Sequence, residues 1–379
     1  MTVGPALSDF FRSLARKPLV VVVVSFAVAG TVLAVGMVVR GGPAPRAGGP
    51  SPTVSVVPSP SETPVPSSPS PSPSPSPSAS KTTASSTPTP SPSKSSAKPS
   101  PTPTRNPDVR AFAGLGAWVD LYDYQGLAPV DGIADMRARG VKTLYLQTSR
   151  YTCPQSSLCP SDGDIAHPNV VGDWLERAHA AGMRVVGWYL PGYGNMDRDV
   201  RRMVAVATFR SAAGHRFDAL AVDIESKDET GGGEPFNAAI ATHLQRVRTA
   251  VGASYPVGAI VPAPLGMAIR PESWTGFPWS QIGRSADVVL PMAYWSYRTT
   301  CGSNSSHCPE GYGRENTTEA RRLTGLRVHV IGGIGNDVTT AEVSDFVRGA
   351  RSASPYGGSL YDYRTTAASY WSPLAGFNS

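Results

Sequence analysis

The sequence predicts an α/β chain whose folded part, residues 108–379, is a single closed (β/α)8 barrel of the TIM type. Three observations lead there. Short apolar runs rich in β-branched and aromatic residues alternate with helix-like runs, as expected of parallel strands covered on both faces. The count is eight of each, and a stretch of about 270 residues is the usual size of such a barrel. An open doubly wound sheet is expected to carry a glycine-rich turn after its first strand, whereas this chain reads Trp118-Val119-Asp120-Leu121-Tyr122-Asp123 there.

The elements follow in order. A first strand is expected over 113–119 and a helix over 130–139. TLYLQT (143–148) gives the second strand and 170–181 its helix; VVGWYL (185–190) gives the third, with a helix over 199–213. The fourth strand covers 219–225 and its helix 236–251; the fifth covers 257–261, followed by a Pro/Trp segment with a short helix near 279–283. VVLPMAY (288–294) is the sixth strand, with a helix over 317–323. The seventh pair is 328–331 and 341–350, and the eighth is 358–361 with a short last segment at 367–374. Gly140, Gly182, Gly214, Gly252 and Gly325 stand where helices should stop, the position that favours glycine in the left-handed conformation.

Three segments precede the barrel. Residues 1–17 carry Arg12, Arg16 and Lys17. Residues 18–39 are an apolar run of about 22 residues, long enough to span a membrane as a helix and longer than the core of a cleaved signal peptide. With the basic cluster before it, the run reads as a signal anchor that leaves the N-terminus cytoplasmic and exports the C-terminal domain. The competing reading is a cleaved signal. Residues 40–107 are dominated by Pro, Ser and Thr. Such a segment cannot bury enough apolar surface to offset its ordering entropy. It is expected to be a disordered stalk, reaching on the order of 200 Å if fully extended.

Charge follows the same division. Residues 1–107 carry nine of the 34 Lys/Arg and two of the 28 Asp/Glu, a balance of +7, which leaves −1 for the barrel. A nucleic-acid partner would need a basic footprint on the folded domain, and that is missing. Cys153 with Cys159, and Cys301 with Cys308, are close pairs in Ser/Pro/Gly-rich loops. In an exported domain two local disulfides are expected. A four-cysteine zinc site is the alternative, but its pairs are usually spaced more tightly. The six histidines are scattered, with no pair at metal-ligand spacing. No cofactor and no metal is expected, and nothing in the sequence speaks to oligomeric state.

Function in a barrel gathers at the C-terminal ends of its strands. Those ends carry Trp118 and Asp120, then Gln147, Tyr189, Asp223 and Glu225; later ends carry Pro262, Met292, Tyr294, Trp295, Asn336, Asp337, Tyr361 and Asp362. This is an acidic and aromatic rim. Aromatic rings stack on the apolar faces of sugars, and carboxylates bond hydroxyls and move protons. Asp223 and Glu225 are two apart, so both point to one face of the fourth strand. The bland reading of that pair is an ion-paired strand end, and for each tyrosine it is core packing. Glycines 332, 333 and 335 offer only a weak phosphate signal.

Phe217-Asp218-Ala219-Leu220-Ala221-Val222-Asp223-Ile224-Glu225 resembles the fourth-strand motif Asp-Gly-x-Asp-x-Asp-x-Glu of family 18, chitinase-like, glycoside hydrolases. Asp218 matches its first Asp, Asp223 its third and Glu225 its proton donor. Leu290-Pro291-Met292-Ala293-Tyr294 is similar to the family's Met-x-Tyr element, and Gly357-Gly358-Ser359-Leu360-Tyr361 to its last strand, where an aromatic floors the sugar site. Three positions depart: Ala221 stands for the middle Asp, Trp295 for an Asp and Tyr361 for a Trp. Asp120 and Gln125-Gly126 give a weaker resemblance to family 25, muramidase-like, enzymes.

The resemblance implies a glycoside hydrolase acting on a polysaccharide. Glu225 would be general acid, Asp223 its partner, and Tyr294 a hydrogen-bond donor to the reacting group. Trp118, Asp120, Tyr189, Trp295, Tyr361 and Asp362 would line the sugar site. In a conventional retaining enzyme Asp120 or Asp362 would be the second carboxylate. The change at Ala221 leaves a non-catalytic, polysaccharide-binding barrel as the other reading.

Overall fold

The structure, a computed structural model, describes residues 106–153, 163–298 and 308–379. The expected cytoplasmic end, membrane anchor and most of the stalk therefore lie outside the described residues, as do Cys159 and Cys301. Among the described residues no helix is long and apolar enough to cross a membrane.

Eight parallel strands close into a barrel in the order β1 to β8. They are β1 Gly114–Val119, β2 Thr143–Arg150, β3 Arg184–Leu190, β4 Ala219–Asp223, β5 Val257–Pro262, β6 Val288–Met292, β7 Arg327–Ile334 and β8 Gly357–Tyr361. The helices are α1 Pro129–Ala138, α2 Pro168–Ala180, α3 Met196–Thr208, α4 Gly233–Val251, α5 Pro264–Ile269, α6 Trp279–Ser285, α7 Pro309–Thr324, α8 Thr340–Ser352 and α9 Trp371–Leu374. The (β/α)8 barrel expected from the alternation is what forms.

Strand alternation sorts the core into two layers. Leu144, Leu146, Val185, Leu220, Val222 and Val289 face outward and pack under the helices. Trp118, Tyr145, Trp188, Ala219, Ala221 and Leu290 belong to the cluster that fills the barrel. Three large rings occupy that interior, so their neighbours must be small. Ala221 pairs in register with Trp188, and a Cβ on Gly116 would stand 2.6 Å from the Tyr145 ring. Trp118 stacks on Tyr145 at 4.1 Å and meets Trp188 edge-on at 5.9 Å. The 3-10 turn Val109–Phe112 contributes buried Phe112 to the same interior cluster. Three polar groups inside satisfy one another: the Trp118 indole donates to Ser359 Oγ (2.8 Å), which lies 3.1 Å from His329 Nε2.

Several boundaries differ from expectation, each for a local reason. The third helix stops at Thr208 rather than 213, because Phe209 turns extended and its ring lies 5.6 Å from Phe217. Gly214 then closes a separate turn, bonding back to Ser211. The helix before β7 begins at Pro309, eight residues early; Asn316 and Thr317 sit on its buried side and hide its apolar period. α5 lies in the Pro/Trp segment expected to carry only the short helix near 279–283; Pro264 stands in its first turn, a position that suits proline. β7 continues to Ile334 because Gly332 and Gly333 make room for Trp295; a Cβ on Gly332 would stand 2.8 Å from that ring. The weak phosphate signal of these glycines is thus a packing requirement.

Candidate active site

β4 ends at Asp223, two residues short of the expected limit, and Glu225 stands just beyond it. One further backbone bond, Ile224 N–H to Ile260 O at 2.9 Å, carries the strand direction to that point. Asp223 continues the inward-facing series of Ala219 and Ala221. It is 7% exposed, and its Oδ1 has no hydrogen-bond partner among the described residues. Burial, and then the Glu225 charge, push the Asp223 carboxyl well above the usual carboxylate range. Burial also raises Glu225, with Asp228 adding to the shift and Arg150 opposing it. Each of the two carboxyls therefore holds its proton more tightly than an exposed acid does.

Glu225 lines a cavity of about 400 Å3 at the strand ends, together with Arg150, Pro262, Met292, Tyr294 and others. Asp223 does not line it. The nearest aromatic groups form a chain across the mouth. Tyr294 lies 5.9 Å from Tyr297 and 6.3 Å from Tyr361, which in turn lies 6.2 Å from Trp118. Burial, and then Glu225 and Asp223, raise the Tyr294 hydroxyl well above its ordinary pKa, so it is a donor and never a phenolate near neutrality.

Across the mouth from the cavity stands a second acidic group. Tyr361 donates to Asp120 Oδ2 at 2.8 Å and the Tyr122 amide donates to Oδ1 at 2.8 Å. Asp120, Asp123 and Asp362 bring one oxygen each within 4.8 Å of one another, an arrangement that could hold a metal ion. The sequence, whose histidines form no pair at ligand spacing, leads to the expectation of no metal. Most of these oxygens already have protein donors: Asp362 Oδ1 accepts from the Thr365 amide and hydroxyl, and Arg364 stands 3.6 Å from Asp123. Burial, then Asp120 and Asp362, raise Asp123 to about 8. Asp120 and Asp362 are also raised, each by burial first.

The other expected site residues fall elsewhere. Tyr189 is fully buried in the outer layer, where its hydroxyl donates to Asp199 Oδ1 of α3 at 2.6 Å. Trp295 is 3% exposed and stacks on Phe346 of α8 at 4.7 Å. Trp118, 1% exposed, is barrel filling beneath the mouth. Asp218 sits at the opposite end of β4, where it accepts from the Val185 amide (2.8 Å) and pairs with His179 and Arg184. Cys153 and Cys308 are not free thiols, but their expected partners Cys159 and Cys301 lie outside the described residues.

Arg150 is the site residue that sequence reading missed. It ends β2 beyond an irregularity in the pairing with β3 between Gln147 and Ser149. Such a bulge re-aims the side chains that follow it, and simple alternation from Tyr145 does not survive it. Arg150 is 5% exposed and donates to the Tyr122 hydroxyl at 2.5 Å. Its charge acts on Asp120, Asp223 and Glu225 alike.

Solved structures share this architecture. A family GH18 chitinase from Cycas revoluta, in a complex with allosamidin, matches with a TM-score of 0.50 and 12% identity, over 70% of this chain and 100% of that one. A hyperthermostable endo-1,4-beta-D-mannanase from Thermotoga petrophila RKU-1, with maltose and glycerol, matches with a TM-score of 0.51 and 11% identity, over 66% of this chain and 88% of that one. At such identities the likeness defines the fold alone, a TIM barrel that this chain shares with these glycoside hydrolases. No sequence profile of a known family matches it, and neither does any curated protein sequence.

Proposed function

We propose that the barrel is a glycoside hydrolase acting on a cell-envelope or environmental polysaccharide, with Glu225 as general acid. The observation that carries this reading is Glu225 itself, a carboxyl with raised pKa at the wall of a cavity, backed by a second buried acid two residues earlier. A general acid must hold its proton near working pH and release it as the glycosidic oxygen takes on charge. Burial keeps Glu225 protonated in the resting site, and the Arg150 charge favours the carboxylate left when its proton passes to the glycosidic oxygen; Asp223, raised in turn by the Glu225 charge, stands behind it as partner. In this reading the attacking group is the substrate's own N-acetyl group, with Tyr294 donating to it, and Asp223 stands behind the cavity wall at 7% exposure. The test is release of reducing ends from peptidoglycan, chitin and other envelope glycans by wild type and Glu225→Gln. Loss of about 100- to 10,000-fold in rate is expected, and undiminished hydrolysis by the variant removes Glu225 as the acid.

A second reading has its own observation. Ala221 is fully buried against Trp188, where the resembling family has an Asp. A barrel that binds a polysaccharide without cutting it would need no acid there. Binding of a glycan by wild type with no release of reducing ends favours this reading.

We also propose that residues 18–39 anchor the chain, that residues 40–107 form an extended stalk, and that the barrel lies outside the membrane. The apolar run, the Pro/Ser/Thr composition and the absence of free thiols at Cys153 and Cys308 support this. Protease added to intact cells should release the barrel, and non-reducing peptide mapping should recover Cys153–Cys159 and Cys301–Cys308.

A further inference from the structure

The cavity beside Glu225 is lined by four cationic side chains, Arg150, Lys227, Arg270 and Arg298, against two carboxylates, Glu225 and Asp228. None of the four forms an ion pair among the described residues, although twelve other arginines do. Arg150 and Arg298 each hold a buried Nε without a hydrogen-bond partner among the described residues. The Arg298 guanidinium lies over the Tyr312 ring at 5.3 Å, and a Cβ on Gly266 would stand 3.2 Å from its Nη2. Lys227 lies 3.5 Å from the centre of the Trp274 ring and donates to the Ser273 carbonyl. Arg270 is exposed at the rim.

Uncharged groups hold three of these cations: the Tyr122 ring and hydroxyl hold Arg150, the Tyr312 ring holds Arg298, and the Trp274 ring and the Ser273 carbonyl hold Lys227. A partly desolvated cation left unpaired is unfavourable unless an anion joins it. Neutral sugars supply none. The planar guanidinium fork suits carboxylate and phosphate oxygens. The acids Asp120, Asp123 and Asp362 gather at the β1 and β8 ends, where of the four cations only Arg150 acts on one of them; Lys227, Arg270 and Arg298 face only Glu225 and Asp228 in the cavity.

Building on the glycoside hydrolase reading, we infer that this cavity takes an acidic glycan, one whose sugars carry a carboxylate or a phosphate, with the anionic group between Arg298 and Lys227. Titration calorimetry on the full chain carrying Glu225→Gln, which removes turnover, tests it with three matched tetrasaccharides. One is neutral chitotetraose, one carries lactyl carboxylates as in peptide-free peptidoglycan, and one is phosphorylated. One of the two acidic probes is expected to bind at least ~10-fold more tightly than the neutral one, with the preference falling at high salt. Which acidic probe wins identifies the source of the charge. Arg298→Gln should remove the preference and leave affinity for the neutral probe within about twofold, while Arg298→Lys retains part of it. If Arg298→Gln does not fold, Arg270→Gln at the exposed rim should still weaken the preference. Equal affinity for all three probes overturns the inference and leaves a sugar site standing. Preference untouched in every arginine variant also overturns it. If no probe binds, the glycoside hydrolase reading falls, and this inference with it.

Discussion

At the scale of single residues, the site is a set of acids whose protons are held by burial. Asp123 is the clearest case. Its pKa of about 8 lies above the 3.8 of an ordinary Asp, so between those values the folded chain binds the proton and the unfolded chain does not. Stability therefore falls as pH rises through that window. Asp123→Asn keeps a neutral, hydrogen-bonding group, and should stabilise the protein by about 1–3 kcal/mol above pH 8 with little effect near pH 4. Thermal melts at the two pH values check it. Glu225 was legible in the sequence because alternation places residues 223 and 225 on one face. The burial that gives them their protons was not, since it depends on what Arg150, Tyr294 and Tyr361 place around them. Tyr189 and Trp295 show the converse: a rim position in the sequence became a packing residue once α3 and α8 supplied Asp199 and Phe346 as partners.

At the scale of elements, β4 is constrained by its neighbour β3. Ala221→Asp would match the motif of the chitinase-like enzymes at this position, yet it puts a carboxylate against Trp188 in the dry layer. A loss of about 3–5 kcal/mol is expected, read from the denaturant midpoint; a fully stable variant would mean the interior is wetter than the packing implies. The α7–α8 pair is held by close approach. A Cβ on Gly349 would lie 1.9 Å from the Glu310 carbonyl oxygen, so Gly349→Ala should force the helices apart and cost about 1–3 kcal/mol. The strand order and most strand limits were readable because apolar runs and turn residues carry them. The start of α7 and the bulge in β2 were not, because buried Asn316 and Thr317 and one extra residue after Gln147 break the periods on which such reading relies.

At the scale of the whole molecule, two buried histidines couple the barrel to pH. His243 and His329 are fully buried, and burial lowers both to about 4 from 6.5. The unfolded chain takes up protons first as pH falls below 6.5, so each histidine withdraws stability between 6.5 and about 4, by up to about 3 kcal/mol. His243→Phe should flatten that acid limb relative to wild type in urea titrations, and an unchanged limb would place the effect elsewhere. The barrel is also fastened near the C-terminal end of the described chain. Asn378 accepts from the Leu115 amide at 3.0 Å and donates to the Gly140 carbonyl at 2.8 Å. Asn378→Ala should lower stability by about 1–2 kcal/mol, read from the denaturant midpoint.

The contact between β1 and β8 rests on two register pairs, Gly114 with Gly357 and Leu115 with Gly358. It joins segments that leave the ribosome far apart in time: Leu115 and Asn378 are 263 positions apart. Until the last strand arrives, β1 and β7 each expose a raw hydrogen-bonding edge, a template for pairing with the wrong chain. A barrel still lacking β8 is an open sheet, and closure by these two register pairs competes with association between copies of the chain.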